Sequence, residues 1–359
     1  MPIAKKSNSR IPLTILLFGI GIALIGLLAI YDASVVDAFK SFNDKFHYIK
    51  QQGAWLVIGI LVALITSNIP ISLIKKYTPA FFIISLILMF VVLIPGISPK
   101  LMGARRWIVL GPIVLQPSEL IKISLILYLA KWLEVPRDLK QFLALLGLIM
   151  ALIMLQPDLG TGIIVTMTCF ILYFIAGAPM KDISTFIILS VVAVGILIVS
   201  SPYRMDRLKT YMDPTNDPLG ASYHINQILY GLGSGGLTGV GIGKSRQKFA
   251  YLPEATTDSI YVIIAEEMGF IGGTILILAM VIMTMFSFKV SLLVNDRFDK
   301  LMSCGVSLLF LNQIFINLSS MTAIVPLTGV PLPFISYGGS SLVTNFLALG
   351  LLINAAKRI

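Results

Sequence analysis

The sequence predicts an all-α, polytopic membrane protein of about ten transmembrane helices with one large extracytoplasmic loop, and three observations predict it. Hydrophobic residues fill 57% of the 359 positions and charged residues 12%, for a mean hydropathy of +0.93. That is far more apolar than a soluble domain of this length needs. The apolar residues gather in runs of about 20, the length that crosses a bilayer as helix. Between the runs lie short segments of Pro, Gly and charge, and a single long polar stretch, residues 201–257. The whole of 1–359 therefore reads as one membrane domain with that loop inside it.

Taken in order, Lys5, Lys6 and Arg10 precede a run from Ile11 to Ile30, longer than the ~7–15 residues of a signal-peptide core and expected to remain as the first span. Further spans are expected near residues 53–69, 77–95, 117–134, 139–156, 159–177, 182–200, 258–288, 301–325 and 336–356. The fifth and sixth are parted only by Gln156-Pro157-Asp158-Leu159-Gly160, which also fits a broken or re-entrant pair. The eighth, Asp258 to Phe288, would measure ~46 Å as a helix, so it must tilt, protrude or break. Gly269, Gly272 and Gly273 mark its weak point.

Basic residues orient the chain. Of 27 Lys and Arg, 14 fall at the termini and in alternate loops, including Lys75, Lys131, Arg137, Lys181, Arg297 and Arg358. The positive-inside bias places these, and so both termini, in the cytoplasm. The long loop then lies outside with Arg204, Arg207, Lys209, Lys244, Arg246 and Lys248, more positive charge than an outside loop usually carries. An anionic ligand would explain the excess. Net charge +10 is accounted for by topology and anionic lipid, without nucleic acid. Cys169 and Cys304 lie in apolar runs without ligand spacing, and His47 and His224 are the only histidines. Disulfide frameworks, zinc hydrolysis and Ser-His-Asp chemistry are therefore unsupported.

Within the loop, Met212 to Pro218 is turn chemistry, and Ser222 to Tyr230 fits a short amphipathic helix. Seven glycines follow between Gly231 and Gly243. Gly231, Gly233 and Gly236 fit a dinucleotide-loop pattern by letter, but no strand precedes them; Gly243-Lys244-Ser245 lacks the earlier glycine of a P-loop. What remains is a loop able to adopt positive φ, either packing over the membrane surface or presenting N–H groups to phosphate oxygens. Asp258, at the mouth of the eighth run, fits a helix N-cap or a partly desolvated general base able to take a proton from a sugar hydroxyl. Glu266 and Glu267, two turns deeper, are secondary candidates.

A second polar cluster comprises Arg105-Arg106-Trp107, Gln116-Pro117-Ser118-Glu119 and Lys122. Pro117 and Glu119 suit a helix start. Lys122 lies on the same face one turn on, where either an ion pair with Glu119 or a polar cavity is expected. Arg105 and Arg106 fit interfacial anchors or donors to a diphosphate. Asn312, Gln313 and Asn317 fit hydrogen bonds between helices. The Pro- and Gly-punctuated segment Pro326 to Ser341, containing Ser336 and Gly338, needs protein or a water-filled cavity around it and supplies a third wall.

The sequence resembles the SEDS family (shape, elongation, division and sporulation) of peptidoglycan glycosyltransferases, most closely its division members, with the elongation members second. The resemblance spans nearly the whole chain and rests on Gly103-Ala104-Arg105-Arg106-Trp107, Gln116 to Lys122, Gln156 to Thr161, Tyr251-Leu252-Pro253-Glu254, Thr257-Asp258 and Pro333 to Ser341. Thr256 and Ser259 stand where the family usually has His and Phe.

The resemblance implies polymerisation of lipid II on the outer face of the bacterial cytoplasmic membrane, for septal wall synthesis. An acceptor 4-hydroxyl would attack the anomeric carbon of a donor, releasing undecaprenyl diphosphate and leaving an inverted β-1,4 link. By matching position, Asp258 is the catalytic residue and Glu119 and Lys122 a functional pair. Arg105 and Arg106, with Lys244, Lys248, Glu254, Ser336 and Gly338, are further substrate-binding candidates. No cofactor or metal ligand is assigned, a divalent cation being left open. The implied partners are a class B penicillin-binding protein transpeptidase and other division-machinery membrane proteins. A lipid II flippase and a scaffold are the competing classes. A flippase would tolerate Asp258→Asn better than a base-catalysed enzyme, and a scaffold would tolerate changes at Asp258, Glu119 and Lys122 alike.

Overall fold

The computed structural model describes residues 10–100, 103–111, 113–213, 217, 220, 222–249 and 251–359. Helices stand where the apolar runs predicted them: α1 (Arg10–Phe42), α2 (His47–Thr66), α3 (Ile71–Val91), α4 (Pro117–Trp132), α5 (Leu139–Leu155), α6 (Leu159–Ile175), α7 (Met180–Val199), α10 (Ile260–Leu293), α11 (Arg297–Met321) and α12 (Gly339–Ala356). Seven of them are long and apolar enough to cross a membrane on those grounds alone, while α5 and α6 are shorter apolar helices and α4 has 16 residues. The short pair α5 and α6 forms an antiparallel hairpin, since Tyr173, near the end of α6, donates to the Arg137 carbonyl just before α5 at 3.1 Å. This resolves the Gln156–Gly160 segment as a tight turn between two helices.

Two shorter helices, α8 (Pro202–Met212) and α9 (Tyr223–Gly235), lie in the long loop. The second was expected and the first was not; the expected turn over 212–218 lies mostly outside the described residues. A small antiparallel hairpin, β1 (Ile108–Leu110) and β2 (Ile113–Leu115), pairs Val109 with Val114. It is fastened to the start of α12 by Ser340, whose Oγ donates to the Val114 carbonyl at 2.7 Å and accepts from the Gln116 N–H at 3.1 Å.

The core centres on α4, α11 and α12. Helix α11 is buried along nearly its whole length, whereas α7 buries only Phe186. Close approach of α2 and α12 requires small residues: a Cβ on Gly350 would stand 2.7 Å from the Ala63 carbonyl. Of the three expected polar bridges, Asn312 donates to Thr168 Oγ1 of α6 at 2.9 Å, and Asn317 donates to the carbonyls of Asp258 and Val330 at 2.9 and 2.7 Å. Gln313 is fully buried and makes no hydrogen bond among the described residues, so its expected role as a bridge is not seen.

Successive spans alternate in direction, which gives the bundle two ends. At one end Arg358 pairs with Asp299 at 2.7 Å, Lys75 with Glu134, and Arg297 donates to the Ala176 carbonyl. The other end holds the α3–α4 connection, the α5–α6 turn, α8, α9, the glycine segment and the α11–α12 connection.

At that end α10 breaks. Gly269 has φ +67° and ψ −171° inside the helix, at the weak point the glycines predicted. The freed backbone groups find partners in the glycine segment: Val240 and Gly241 N–H donate to the carbonyls of Glu266 and Glu267 at 3.0 Å, and Phe270 N–H donates to the Gly236 carbonyl at 2.9 Å. Irregular backbone at membrane depth is thereby satisfied by protein. A Cβ on Gly239 would come within 2.0 Å of the Glu267 carbonyl, so the contact demands glycine.

Candidate active site

Turns over residues 251–259 carry Asp258 to the edge of a cavity of about 580 Å³. Its walls come from far-separated stretches: Gln51 and Trp55 of α2, Arg106 and Trp107, Glu119 of α4, Asp158 and Thr161 at the α5–α6 turn, Arg204 and Arg207 of α8, and His224 of α9. Glu254, Thr257 and Asp258, with Thr328, Gly329, Tyr337 and Gly338, close it. A side chamber of about 330 Å³ adjoins it across Arg207, His224 and Leu327.

The structure does not place Asp258 as the cap of α10. The N-cap of α10 is Ser259, and no side chain caps that helix end. The Asp258 carboxylate makes no hydrogen bond among the described residues, while its backbone carbonyl is held by Asn317. Gly329 faces it closely enough that a Cβ there would lie 3.4 Å from Oδ2. Half-buried, the carboxyl is pushed up to about 7, first by desolvation and then by the charges of Glu254 and Asp158, with Arg207 and Arg106 pulling the other way. A carboxylate so placed is a stronger base than one in water.

The other acids of the cavity are engaged. Glu119 and Lys122 form a buried pair at 2.7 Å, and Thr344 donates to the second Glu119 oxygen at 3.2 Å. Glu119 reaches the cavity wall, with Lys122 behind it. Asp158 caps α6, accepting from the Thr161 N–H at 3.1 Å and its hydroxyl at 2.8 Å. Glu254 accepts from the Thr257 hydroxyl at 2.6 Å. Among the described residues no cluster of three or more His, Cys, Asp or Glu side chains is disposed to hold a metal ion.

Several expected substrate contacts are placed elsewhere. Arg105 turns toward the end of α3, donating to the Leu93 carbonyl at 3.5 Å. Lys244 is exposed beyond the cavity. Lys248 is buried between Asp32 of α1 and Glu267 of α10 at 2.8 and 3.0 Å, which makes it a structural cation. Ser336 is spent on the backbone, donating to the Thr257 carbonyl at 2.6 Å and accepting from the Leu332 N–H at 2.8 Å. Arg106, Glu254 and Gly338 do line the cavity.

The glycine segment also differs from expectation. Its N–H groups serve the protein's own anions: Gly243 and Ser245 donate to Glu267 at 3.0 Å, and Arg246 donates to Glu266 at 3.1 Å. The two carboxylates, expected as secondary catalytic candidates, instead seat this segment against the break in α10.

Sequence reasoning missed Arg204, Arg207 and His224 as site residues. The arginines were visible as excess loop charge. His224 shares a 2.9 Å hydrogen bond with Ser259 and is pushed down to about 4 by burial and by Arg207, so it is neutral at physiological pH.

Comparison with known proteins places this geometry in context. Residues 12–359 match the profile of the FTSW_RODA_SPOVE family, described as cell cycle proteins. The stage V sporulation protein E of Bacillus subtilis is 38% identical over 93% of each chain. A probable peptidoglycan glycosyltransferase FtsW of Coxiella burnetii is 37% identical over 92% of each chain. Among solved structures, a chain reported under the structural coordination of polymerization and crosslinking by a peptidoglycan synthase complex superposes with a TM-score of 0.79 at 26% identity, covering 96% of this chain and 97% of its own.

Proposed function

The chain belongs to the FTSW_RODA_SPOVE family of cell cycle proteins, and from that premise we propose that it is a peptidoglycan glycosyltransferase that polymerises lipid II with Asp258 as general base. The observation that carries the reading is the Asp258 carboxylate, without a hydrogen bond among the described residues and facing a cavity walled by Arg106, Arg204 and Arg207. An acceptor sugar hydroxyl attacks the donor's anomeric carbon, and the bond from that carbon to the diphosphate oxygen breaks. The hydroxyl proton passes to Asp258, and the electron pair leaves with the polyprenyl diphosphate. A base poised near neutrality suits the proton transfer, and arginines suit the departing charge.

The basic end of the bundle faces the cytoplasm in this proposal, following the positive-inside bias, and the cavity opens on the outer face, where the disaccharide of lipid II is presented. The FtsW names among the relatives support a role in division. The solved complex that coordinates polymerization with crosslinking supports a transpeptidase partner of the penicillin-binding class.

The test is polymerisation of labelled lipid II by purified protein, alone and with its cognate transpeptidase. Glycan strands are expected; their absence under both conditions sinks the polymerase reading and leaves transport or scaffolding.

A further inference from the structure

We infer that His224 of α9 is a positioning residue for Asp258, acting through its hydrogen bond to Ser259. The inference rests on the reading of Asp258 as the base and names the contact that sets its aim.

Because the Asp258 carboxylate makes no hydrogen bond among the described residues, its direction is that of the turn that carries it. One restraint on that turn comes from α11 and the connection to α12. Tyr337 N–H donates to the Thr256 carbonyl at 2.9 Å, Ser336 Oγ to the Thr257 carbonyl at 2.6 Å, and Asn317 Nδ2 to the Asp258 carbonyl at 2.9 Å. Each bond fixes where an oxygen lies and leaves its peptide plane free to tilt. The second restraint comes from the next residue. Ser259 is fully buried, and its Oγ shares a 2.9 Å hydrogen bond with His224 Nε2.

Helix α9 gives His224 a fixed base. Gly231 and Gly235 lie seven and eleven residues further on, on the same helical face, and both meet the first turns of α10. A Cβ on Gly231 would stand 2.6 Å from the Val262 side chain, and one on Gly235 2.3 Å from the Ala265 carbonyl. Ser234 adds a hydrogen bond to Glu266 at 3.3 Å. The stripe from His224 to Gly235 therefore joins α9 to the start of α10, and the turn bearing Asp258 is caught between that pair and the α11–α12 connection. His224 also stands where the main cavity meets the side chamber, beside Arg207, with Asp206 in the chamber wall. A neutral imidazole suits this place. It offers a hydroxyl either a donor or an acceptor, and it adds no charge to surroundings that already hold Glu254, Asp158, Arg207 and Arg106. Cutting the bond leaves a buried hydroxyl unpaired and loosens the turn, and water then reaches the carboxylate.

Two readouts on full-length protein in phosphatidylcholine nanodiscs test this. Dicyclohexylcarbodiimide attacks protonated carboxyls, so its labelling of Asp258, located by mass spectrometry, falls as pH rises through the acid's titration and needs no lipid II. Wild type is expected to lose the label at about pH 7. Ser259→Ala and His224→Leu should each move that midpoint down by about half a pH unit or more, roughly a threefold change in proton affinity, as the carboxylate regains water. His224→Gln, which keeps a polar nitrogen at a similar reach, should hold the wild-type midpoint. In polymerisation of labelled lipid II at about pH 8, above that titration, Ser259→Ala and His224→Leu should each lower kcat about tenfold with KM within about twofold, the mark of a misaimed group. The double variant should be no slower than either single one, since both cut the same contact. Ser259→Ala, which removes one oxygen, decides the matter if His224→Leu fails to fold. An unchanged midpoint and kcat in folded variants overturn the inference. So do additive losses in the double variant, and so does a raised KM with kcat intact, which would make His224 a substrate contact. A shifted midpoint with no strands from wild type would uphold the positioning and refute the polymerase reading.

Discussion

Asp258 is the residue on which chemistry and position agree. Desolvation and two neighbouring carboxylates raise its carboxyl to about 7, so it is protonated, and useless as a base, below that pH. We predict that kcat/KM for lipid II polymerisation falls about tenfold per pH unit below about 7 and levels off above it. A pH–rate profile checks this, and a limb near the ordinary carboxylate value of about 4 would contradict it. Its place at the mouth of an apolar run, on the cavity wall, was legible in the sequence, because a carboxylate there has few uses. What the sequence left open was whether that use was capping, and Ser259 in the capping position closes the question. Arg204 and Arg207 were legible only as charge. Nothing in local spacing tells which way a loop of more than fifty residues folds its cations.

At the scale of elements, the glycine segment and the break in α10 are one device. The break at Gly269 was legible from a run too long for the bilayer with glycines near its start. The partner of the break was not. Glycines announce a backbone that approaches something closely, and the something proved to be Glu266 and Glu267, carboxylates of the adjoining helix. Lys248 completes the device by joining α1 to α10 through Asp32 and Glu267. Removing one member of a buried pair leaves an uncompensated charge, at a cost of about 3–5 kcal/mol. Lys248→Met, which leaves Asp32 and Glu267 without their shared cation, is therefore expected to lower the unfolding temperature in detergent by several degrees. An unchanged melting temperature for the variant would show that the cluster does not hold the segment.

At the scale of the whole molecule, hydropathy alone made ten helices legible, seven of them long and apolar enough to cross a membrane, because a bilayer leaves helices as the economical way to satisfy backbone groups. Their ends were less legible: α1 runs to Phe42, well past the apolar run that announced it. The fold's contribution to function is convergence. Residues as distant in sequence as Gln51, Glu119, Asp258 and Gly338 share one cavity, and the motifs that looked separate along the chain are its walls. The central claim is that this cavity polymerises glycan with Asp258 as its base. The measurement that tests it most directly is strand synthesis from labelled lipid II by wild type and Asp258→Asn, prepared alike and matched in melting temperature. The account predicts strands from wild type and a loss of at least about a hundredfold in the variant, the low end of what general-base removal costs. Equal strand synthesis by the two proteins would contradict it.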